Sequence, residues 1–228
     1  MQRQHLIFDA DDTLWENNIY FEEAFDRFCR FLAHSSLAPA QVRTILDDIE
    51  IANAKVNGYG SKNYARNLAL CYEHLSEREI SEPDIAAVRA FAHAILEKPV
   101  ELLSGVEETV AELSARHELT LFTKGDPEEQ RLKIDRSGLA PYFKHAAIVK
   151  EKNEAAYREL SRERGFALAR TWMIGNSPKS DINPALAAGL RAVYVPHPRT
   201  WSLEYEDVPE SHPRLLRIGS VRELKKVF

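Results

Sequence analysis

The chain lacks most of the features that mark secreted, membrane-spanning or nucleic-acid-binding proteins. Its 228 residues include only two cysteines, Cys29 and Cys71, which fit no metal-ligand spacing and which a cytosolic chain would keep reduced. No apolar run approaches the roughly 20 residues of a membrane span, and the N-terminus leads directly into a strand-like segment, which leaves no room for a signal peptide. Basic residues do not dominate, at 30 against 35 acidic ones. We therefore expect a cytoplasmic protein that binds neither nucleic acid nor a membrane.

The composition is that of an ordinary globular protein, with 44% hydrophobic and 29% charged residues. Residues 16–98 carry helical patterns and no strand pattern. An aromatic stripe at helical spacing comes first, and further helices are predicted from Pro39, from Lys62 to His74 and from Ser81 to about Leu96. The sequence therefore predicts a helical domain at 16–98, inserted into a second domain made of residues 1–15 and 99–228.

The rest of the chain alternates between short apolar runs and helical segments. A capping box at Ser104-Gly105-Val106-Glu107 and another at Ser220 predict helix starts. The predicted strands are Leu6–Phe8, Leu119–Phe122, Ala146–Val149, Thr171–Ile174, Ala192–Val195 and Leu215–Ile218, and the other helices are Pro127–Ser137, Asn153–Arg164 and Pro184–Ala188. Such alternation is typical of an α/β fold with a parallel sheet covered on both faces.

Three acids follow the first predicted strand within four residues, namely Asp9, Asp11 and Asp12. Carboxylates this close repel one another, and burying them without compensation is costly. Since ligands bind at the carboxyl ends of strands in open α/β sheets, we expect a cation here. A solvated acidic turn is the plain alternative.

Polar residues also follow the later strands. Thr123, Lys124 and Gly125 end one apolar run and precede a helix, whose N-terminal amides favour an anion. Lys152 stands at the start of another helix, with Lys150 as a competitor. Gly175-Asn176 through Asp181 follows a third run. Each alone has an ordinary structural explanation, as a strand-end threonine, a surface lysine or an acidic turn.

Taken in order, the four segments resemble motifs I to IV of the haloacid dehalogenase-like (HAD) hydrolase superfamily. The resemblance implies a Rossmann-like core with three layers and a parallel sheet, and a helical C1-type cap inserted between motifs I and II. Two positions depart from the family pattern, which usually has Pro where Asn153 stands and often has Asp where Asn176 stands.

The resemblance also implies roles for these residues. Asp9 is the nucleophile and Asp11 the general acid and base, while Thr123, the amides of Lys124 and Gly125, and Lys152 bind the phosphoryl group. Magnesium prefers oxygen ligands, and those implied here are Asp9, the main-chain carbonyl of Asp11, Asn176 and Asp181. Asp12 replaces a residue that is often Gly and receives no catalytic role.

The expected function is Mg²⁺-dependent hydrolysis of a small phosphorylated metabolite. Family dehalogenases lack the second Asp of motif I and need no metal, so the presence of Asp11 disfavours a 2-haloacid dehalogenase. A phosphomutase, or a catalytically silent binding protein, stays open. Trp15, Asn17, Tyr20, Tyr59 and Lys62 are candidates to face the substrate, whereas the His197–Trp201 loop has no assigned function, and a monomer or a homodimer is expected.

Overall fold

The computed structural model describes residues 2–228, and its centre is a six-stranded sheet in the order β3-β2-β1-β4-β5-β6. Every neighbouring pair is parallel. The strands are β1 (His5–Phe8), β2 (Glu118–Lys124), β3 (His145–Val149), β4 (Thr171–Gly175), β5 (Arg191–Tyr194) and β6 (Leu215–Arg217). The predicted α/β class is thus confirmed.

The first strand is apolar on both sides because each of its faces packs on a separate core. Leu6 and Phe8 join one buried cluster, whereas Ile7 joins another that contains Met173 and Tyr157. This arrangement explains why the strand has no polar alternation. It also places β1 at the middle of the sheet, so the residues that follow it are surrounded by the ends of β2 and β4.

Nine α-helices fall within the described residues. Four of them follow β1 directly: α1 (Asn18–Leu32), α2 (Pro39–Asn57), α3 (Ser61–Leu75) and α4 (Glu82–His93). The other five alternate with the later strands: α5 (Val106–Arg116), α6 (Pro127–Arg136), α7 (Glu154–Arg164), α8 (Asn183–Ala187) and α9 (Leu224–Val227). None of the helices in residues 2–228 is both long and apolar enough to cross a membrane.

The chain separates into two compact units. One contains the residues up to Asn18 together with Val100–Phe228, and it holds the whole sheet. The other, Ile19–Pro99, is helical and has its own buried core, built on Phe28, Leu46 and Leu68 among others. The boundaries predicted from the sequence, after residues 15 and 98, lie within three residues of these divisions.

One local prediction was wrong. The helix at 106 has no serine cap: Gly105 precedes it with a left-handed φ of 78° and no side-chain cap bond. The left-handed φ favours glycine, and a Cβ at Gly105 would displace the Arg222 side chain, whose Nε would lie 2.0 Å away. The helix predicted at Pro184–Ala188 is present at Asn183–Ala187, and it follows a wide π-helical turn at Pro178–Ile182 that contains Asp181.

Candidate active site

The candidate site is assembled at the carboxyl ends of the three central strands. Asp9 follows β1 directly, and its amide donates to the Ile174 carbonyl at 2.9 Å, which extends the pairing of β1 with β4. Thr123 is the next-to-last residue of β2, and Gly175 ends β4. Because β1 lies between β2 and β4, three of the predicted motifs meet at one edge.

Lys152 connects the nucleophile candidate with motif IV. Its Nζ lies 2.5 Å from Asp9 Oδ1 and 2.5 Å from Asp181 Oδ1, and it also donates to the Phe122 carbonyl at 3.3 Å. Burial alone would lower the pKa of Lys152, but the two carboxylates outweigh it and raise that pKa. Lys150 is exposed. The structure therefore brings Lys152, and not Lys150, to the site.

Asn153 has a local reason to stand where the family usually has proline. It is the N-cap of α7, and its side-chain oxygen accepts from the Ala156 amide at 3.0 Å. An N-cap amide satisfies one of the unpaired donors of the first helical turn. The departure at 153 thus preserves the helix start that positions Lys152.

The buried charges around Lys152 do not balance. One ammonium faces two carboxylates, Asp9 and Asp181, and all three side chains are almost inaccessible to solvent. Burial, and then the repulsion from Asp9, raises the pKa of Asp181 to about 7. Gly175 permits this packing, because a Cβ there would lie 2.2 Å from Asp181 Oδ2. The cluster therefore carries an excess of negative charge that a cation would neutralise.

The second oxygen of Asp9 belongs to a group of three oxygens, together with the Asn176 amide oxygen and the Asp11 main-chain oxygen. When the Asn176 amide oxygen faces Asp9, it accepts from the Thr13 hydroxyl at 3.0 Å and lies 3.3 Å from both Asp9 Oδ2 and the main-chain oxygen of Asp11. Without a cation the reversed amide is better hydrogen-bonded, because its nitrogen then donates to these oxygens. Neighbouring ligands of an octahedral Mg²⁺ at 2.0–2.1 Å lie about 3 Å apart. One carboxylate oxygen and two neutral carbonyl oxygens at this spacing suit such an ion, and so the donor chemistry fits magnesium when the Asn176 oxygen faces Asp9.

The predicted metal ligands are not all equivalent in the structure. Asp9, the Asp11 carbonyl and Asn176 lie together, but Asp181 uses Oδ1 on Lys152 and Oδ2 on the Ser177 amide at 2.9 Å. In this arrangement both oxygens of the Asp181 carboxylate have hydrogen-bond partners, and the carboxylate orients Lys152. The ligand roles of all four residues stay predictions.

The Asp11 carboxylate accepts from three donors. Lys133 Nζ lies 2.6 Å from both carboxylate oxygens, Gln130 Nε2 donates at 2.8 Å and Trp15 Nε1 donates at 2.7 Å. Burial opposes ionisation, yet the Lys133 ammonium and these hydrogen bonds hold the pKa of Asp11 below its ordinary value. Asp11 is therefore a carboxylate in this arrangement.

Gln130 and Lys133 are site residues that the motif analysis missed. They lie three apart on α6, so they share one face of the helix that begins directly after β2. That spacing is a signal in the sequence, but nothing in it singles out these two polar residues from their neighbours. Lys133 also donates to Asn17, which joins a predicted substrate-facing residue to the site.

The predicted phosphate-binding segment has other partners in the structure. The Lys124 ammonium contacts Glu204 Oε1 and Ser180 Oγ, at 2.5 and 3.0 Å. The Gly125 amide donates to the Val149 carbonyl at 3.2 Å. Thr123 is buried at the end of β2. A phosphoryl contact from the Gly125 amide requires exchange of its present bond, so the phosphate-binding roles of these three residues stay predictions.

Asp12 has a turn-forming role. Its φ of 57° lies in the left-handed region that favours glycine, and its carboxylate accepts from the amides of Asn17 and Asn18 at 2.9 and 3.1 Å. Asp12, Glu16 and His197 also form a compact group of ionisable side chains beside the site. This group fixes the loop after β5 against the segment after β1.

The substrate-facing candidates are divided between the two units. Trp15 is fully buried, and its indole nitrogen donates to Asp11. Tyr20, Tyr59 and Lys62 belong to the helical unit. Their proposed contact with substrate stays a prediction.

A comparison with solved structures supports the architecture. The chain is similar to a haloacid dehalogenase-like family hydrolase from Xanthomonas campestris, with a TM-score of 0.86 and 32% sequence identity. The match covers 99% of this chain and 90% of the other. The similarity therefore extends through both units.

Two relatives with named activities are also similar in sequence. A phosphoserine phosphatase from Thermus thermophilus is 34% identical over 111 residues, which are 46% of this chain and only 42% of that protein. A glyceraldehyde 3-phosphate phosphatase from Methanopyrus kandleri is 26% identical over 239 aligned positions, covering 97% of this chain and 98% of its own length. Both names describe phosphatases.

The family itself is established by a match over most of the chain. The model of the haloacid dehalogenase-like hydrolases matches residues 4–189, which include Asp9, Thr123, Lys152 and Asp181. The four motifs therefore occur together in sequence, in fold and at one edge of the sheet, and the chain belongs to the haloacid dehalogenase-like hydrolase family.

Proposed function

We propose that the protein is a Mg²⁺-dependent phosphomonoester hydrolase that acts on a small phosphorylated metabolite through an aspartyl phosphate. The environment of Asp9 is the observation that carries this proposal. One of its oxygens contacts a buried ammonium, and the other belongs to a group of oxygens suited to a divalent cation. A carboxylate needs both kinds of positive charge to attack a phosphate dianion.

Asp9, Asp11 and Lys152 together can catalyse hydrolysis in two steps. In the first step an Asp9 oxygen forms a bond to phosphorus, the bond to the leaving oxygen breaks, and Asp11 gives that oxygen a proton. In the second step Asp11 takes a proton from water, the water oxygen attacks phosphorus, and the Asp9 carboxylate is released. Lys152 neutralises Asp9 and the phosphoryl oxygens throughout.

Magnesium, held by Asp9, the Asp11 carbonyl and Asn176, would withdraw negative charge from the phosphoryl group. Asp11 is ionised while Lys133 holds it, which suits its role as a base. Its role as an acid requires a proton and release from Lys133. We therefore propose that Asp11 exchanges its Lys133 contact for the leaving oxygen when substrate binds.

The same site and the named relatives support the proposed substrate class. The named relatives act on phosphoserine and glyceraldehyde 3-phosphate, both small three-carbon phosphomonoesters. A cation and a buried lysine recognise the phosphoryl group and leave the rest of the molecule unspecified. We therefore propose a small phosphorylated metabolite, with these two compounds as the first to be assayed.

The test is hydrolysis of p-nitrophenyl phosphate, phosphoserine and glyceraldehyde 3-phosphate by the full chain, with Mg²⁺ and with a chelator. We expect Mg²⁺-dependent release of phosphate, and a loss of roughly a thousandfold or more in Asp9→Asn, which removes the nucleophile. Asp135→Asn is the matched control, because Asp135 is an exposed acid on α6. Mass spectrometry of the Asp9 peptide detects the phosphorylated intermediate.

Other outcomes identify the alternatives. Chloride release from 2-chloropropionate without metal, and no phosphate release, would assign a dehalogenase. Transfer of the phosphoryl group to an added sugar phosphate in preference to water would assign a phosphomutase. Phosphate and Mg²⁺ binding without any turnover would assign a binding protein.

A further inference from the structure

The loop after β5 reaches the metal-donor group through one hydroxyl. Thr200 is buried, and its amide and hydroxyl both donate to the His197 carbonyl, at 3.1 and 3.0 Å. The loop is fixed in place by Asn18, whose side chain donates to the Arg199 carbonyl at 2.9 Å. His197 adds a contact of 3.7 Å to Glu16. The Thr200 hydroxyl therefore has a defined position, with the His197 carbonyl within reach as an acceptor.

That hydroxyl contacts the Asn176 amide, which has two possible orientations. As placed, Nδ2 donates to Thr200 Oγ1 at 2.9 Å, and the amide oxygen faces Asp9 and Asp11. In the reversed orientation the nitrogen donates to those oxygens, and the amide oxygen accepts from Thr200. The reversed orientation satisfies the oxygens when no cation is present, but it offers a cation no Asn176 ligand.

Thr200 has one hydroxyl proton, and the atom that accepts it determines which way the Asn176 amide is oriented. When the proton lies on the His197 carbonyl, Thr200 can only accept from Asn176, so the amide nitrogen must face Thr200. The amide oxygen then faces the donor group. A carboxylate at position 176 would present an oxygen either way, whereas an amide has a single oxygen and must be oriented.

We propose that Thr200 is a positioning residue, which turns the Asn176 amide so that its oxygen can serve as a Mg²⁺ ligand. This inference rests on the proposed function, since it takes the magnesium site as given. It assigns a role to the loop after β5, and it explains how an amide can stand at a position where the family often has an acid.

Magnesium titration calorimetry of the full chain without substrate tests the proposal apart from turnover. In Thr200→Val we expect Mg²⁺ affinity to fall about 10- to 100-fold, the range typical when the partner of a metal ligand is removed. Thr200→Ser keeps the hydroxyl and is expected to bind like the wild type. Thr109→Val is the matched control, because Thr109 is buried in α5 and its hydroxyl has no hydrogen-bond partner among the described residues.

The same Thr200→Val substitution in an Asn176→Asp protein distinguishes loss of amide orientation from a general loss of structure. In Asn176→Asp the side chain has two equivalent oxygens, so adding Thr200→Val is expected to cost less than about threefold in Mg²⁺ affinity. The thermal midpoint of each metal-free variant reports folding. An equal loss in both backgrounds, or no loss in Thr200→Val, would overturn the proposal. A wild type that binds no Mg²⁺ would overturn it together with the metal part of the proposed function.

Discussion

Removal of the buried lysine is expected to destabilise the sheet-containing unit and to do so in a pH-dependent manner. Lys152→Met keeps the length of the side chain but leaves Asp9 and Asp181 facing each other without their shared cation. Breaking a buried ion pair by removing one partner costs about 3–5 kcal/mol, because the remaining charge is desolvated and unpaired. We expect a decrease of that size in the free energy of unfolding at neutral pH.

The sign of the pH dependence follows from Asp181. Its pKa is about 7 with Lys152 present and rises further without it, so the folded variant holds a proton that the unfolded chain has already released. The stability of the variant therefore falls as pH rises through this range. The penalty of Lys152→Met is expected to be smaller at about pH 6 than at about pH 8, and Lys152→Met combined with Asp181→Asn should recover part of it.

Tryptophan fluorescence during urea unfolding measures this effect selectively. All three tryptophans, Trp15, Trp172 and Trp201, lie in the sheet-containing unit. Lys144→Met is the control, because it removes a largely exposed lysine paired with Glu118 and should cost less than about 1 kcal/mol. A Lys152→Met penalty no larger than that of the control, or one that is equal at both pH values, would refute the reasoning.

Two further predictions concern the close approach in motif IV and a buried acid in the helical unit. In Gly175→Ala the new methyl group would lie 2.2 Å from Asp181 Oδ2, so we expect the free energy of unfolding, measured by chemical denaturation, to fall by about 1–3 kcal/mol. Gly219→Ala is the control, because its methyl group would meet only the end of a glutamate side chain. Burial raises the pKa of Glu50 to about 8, so this group destabilises the folded protein progressively as pH rises from about 4.5 to 8. Glu50→Gln should therefore raise the thermal midpoint measured by circular dichroism at pH 8 more than at pH 5, and a pH-independent difference would contradict this assignment.

The sheet and the helical insert could be predicted because their signals are local. Strands buried on both faces appear as short apolar runs, and α6 and α7 are bounded by a proline, an N-cap asparagine and glycines after their ends. The motif residues could be predicted to meet because they follow strands of one parallel sheet. Both inferences depend only on short segments and on the general geometry of α/β folds.

The rest of the site depends on contacts between distant segments, which no local pattern contains. Lys133 pairs with Asp11 across 122 positions of the chain, and Lys124 pairs with Glu204 across 80. Glu204 belongs to a stretch with one short 3₁₀ turn and no apolar periodicity. Polar residues in such a stretch have no repeating pattern that would predict their partners, so they are identified only in three dimensions.

The departures from the family pattern bear directly on whether the site is active. Asn153 caps the helix that carries Lys152, and Asp12 adopts a left-handed backbone that is common for glycine while it accepts from two amides. Asn176 can turn an oxygen toward Asp9, but it brings one negative charge fewer than an aspartate would. Because each replacement preserves the local arrangement, the departures do not favour a silent site. They predict instead a functional site with weaker Mg²⁺ affinity, which Asn176→Asp should strengthen.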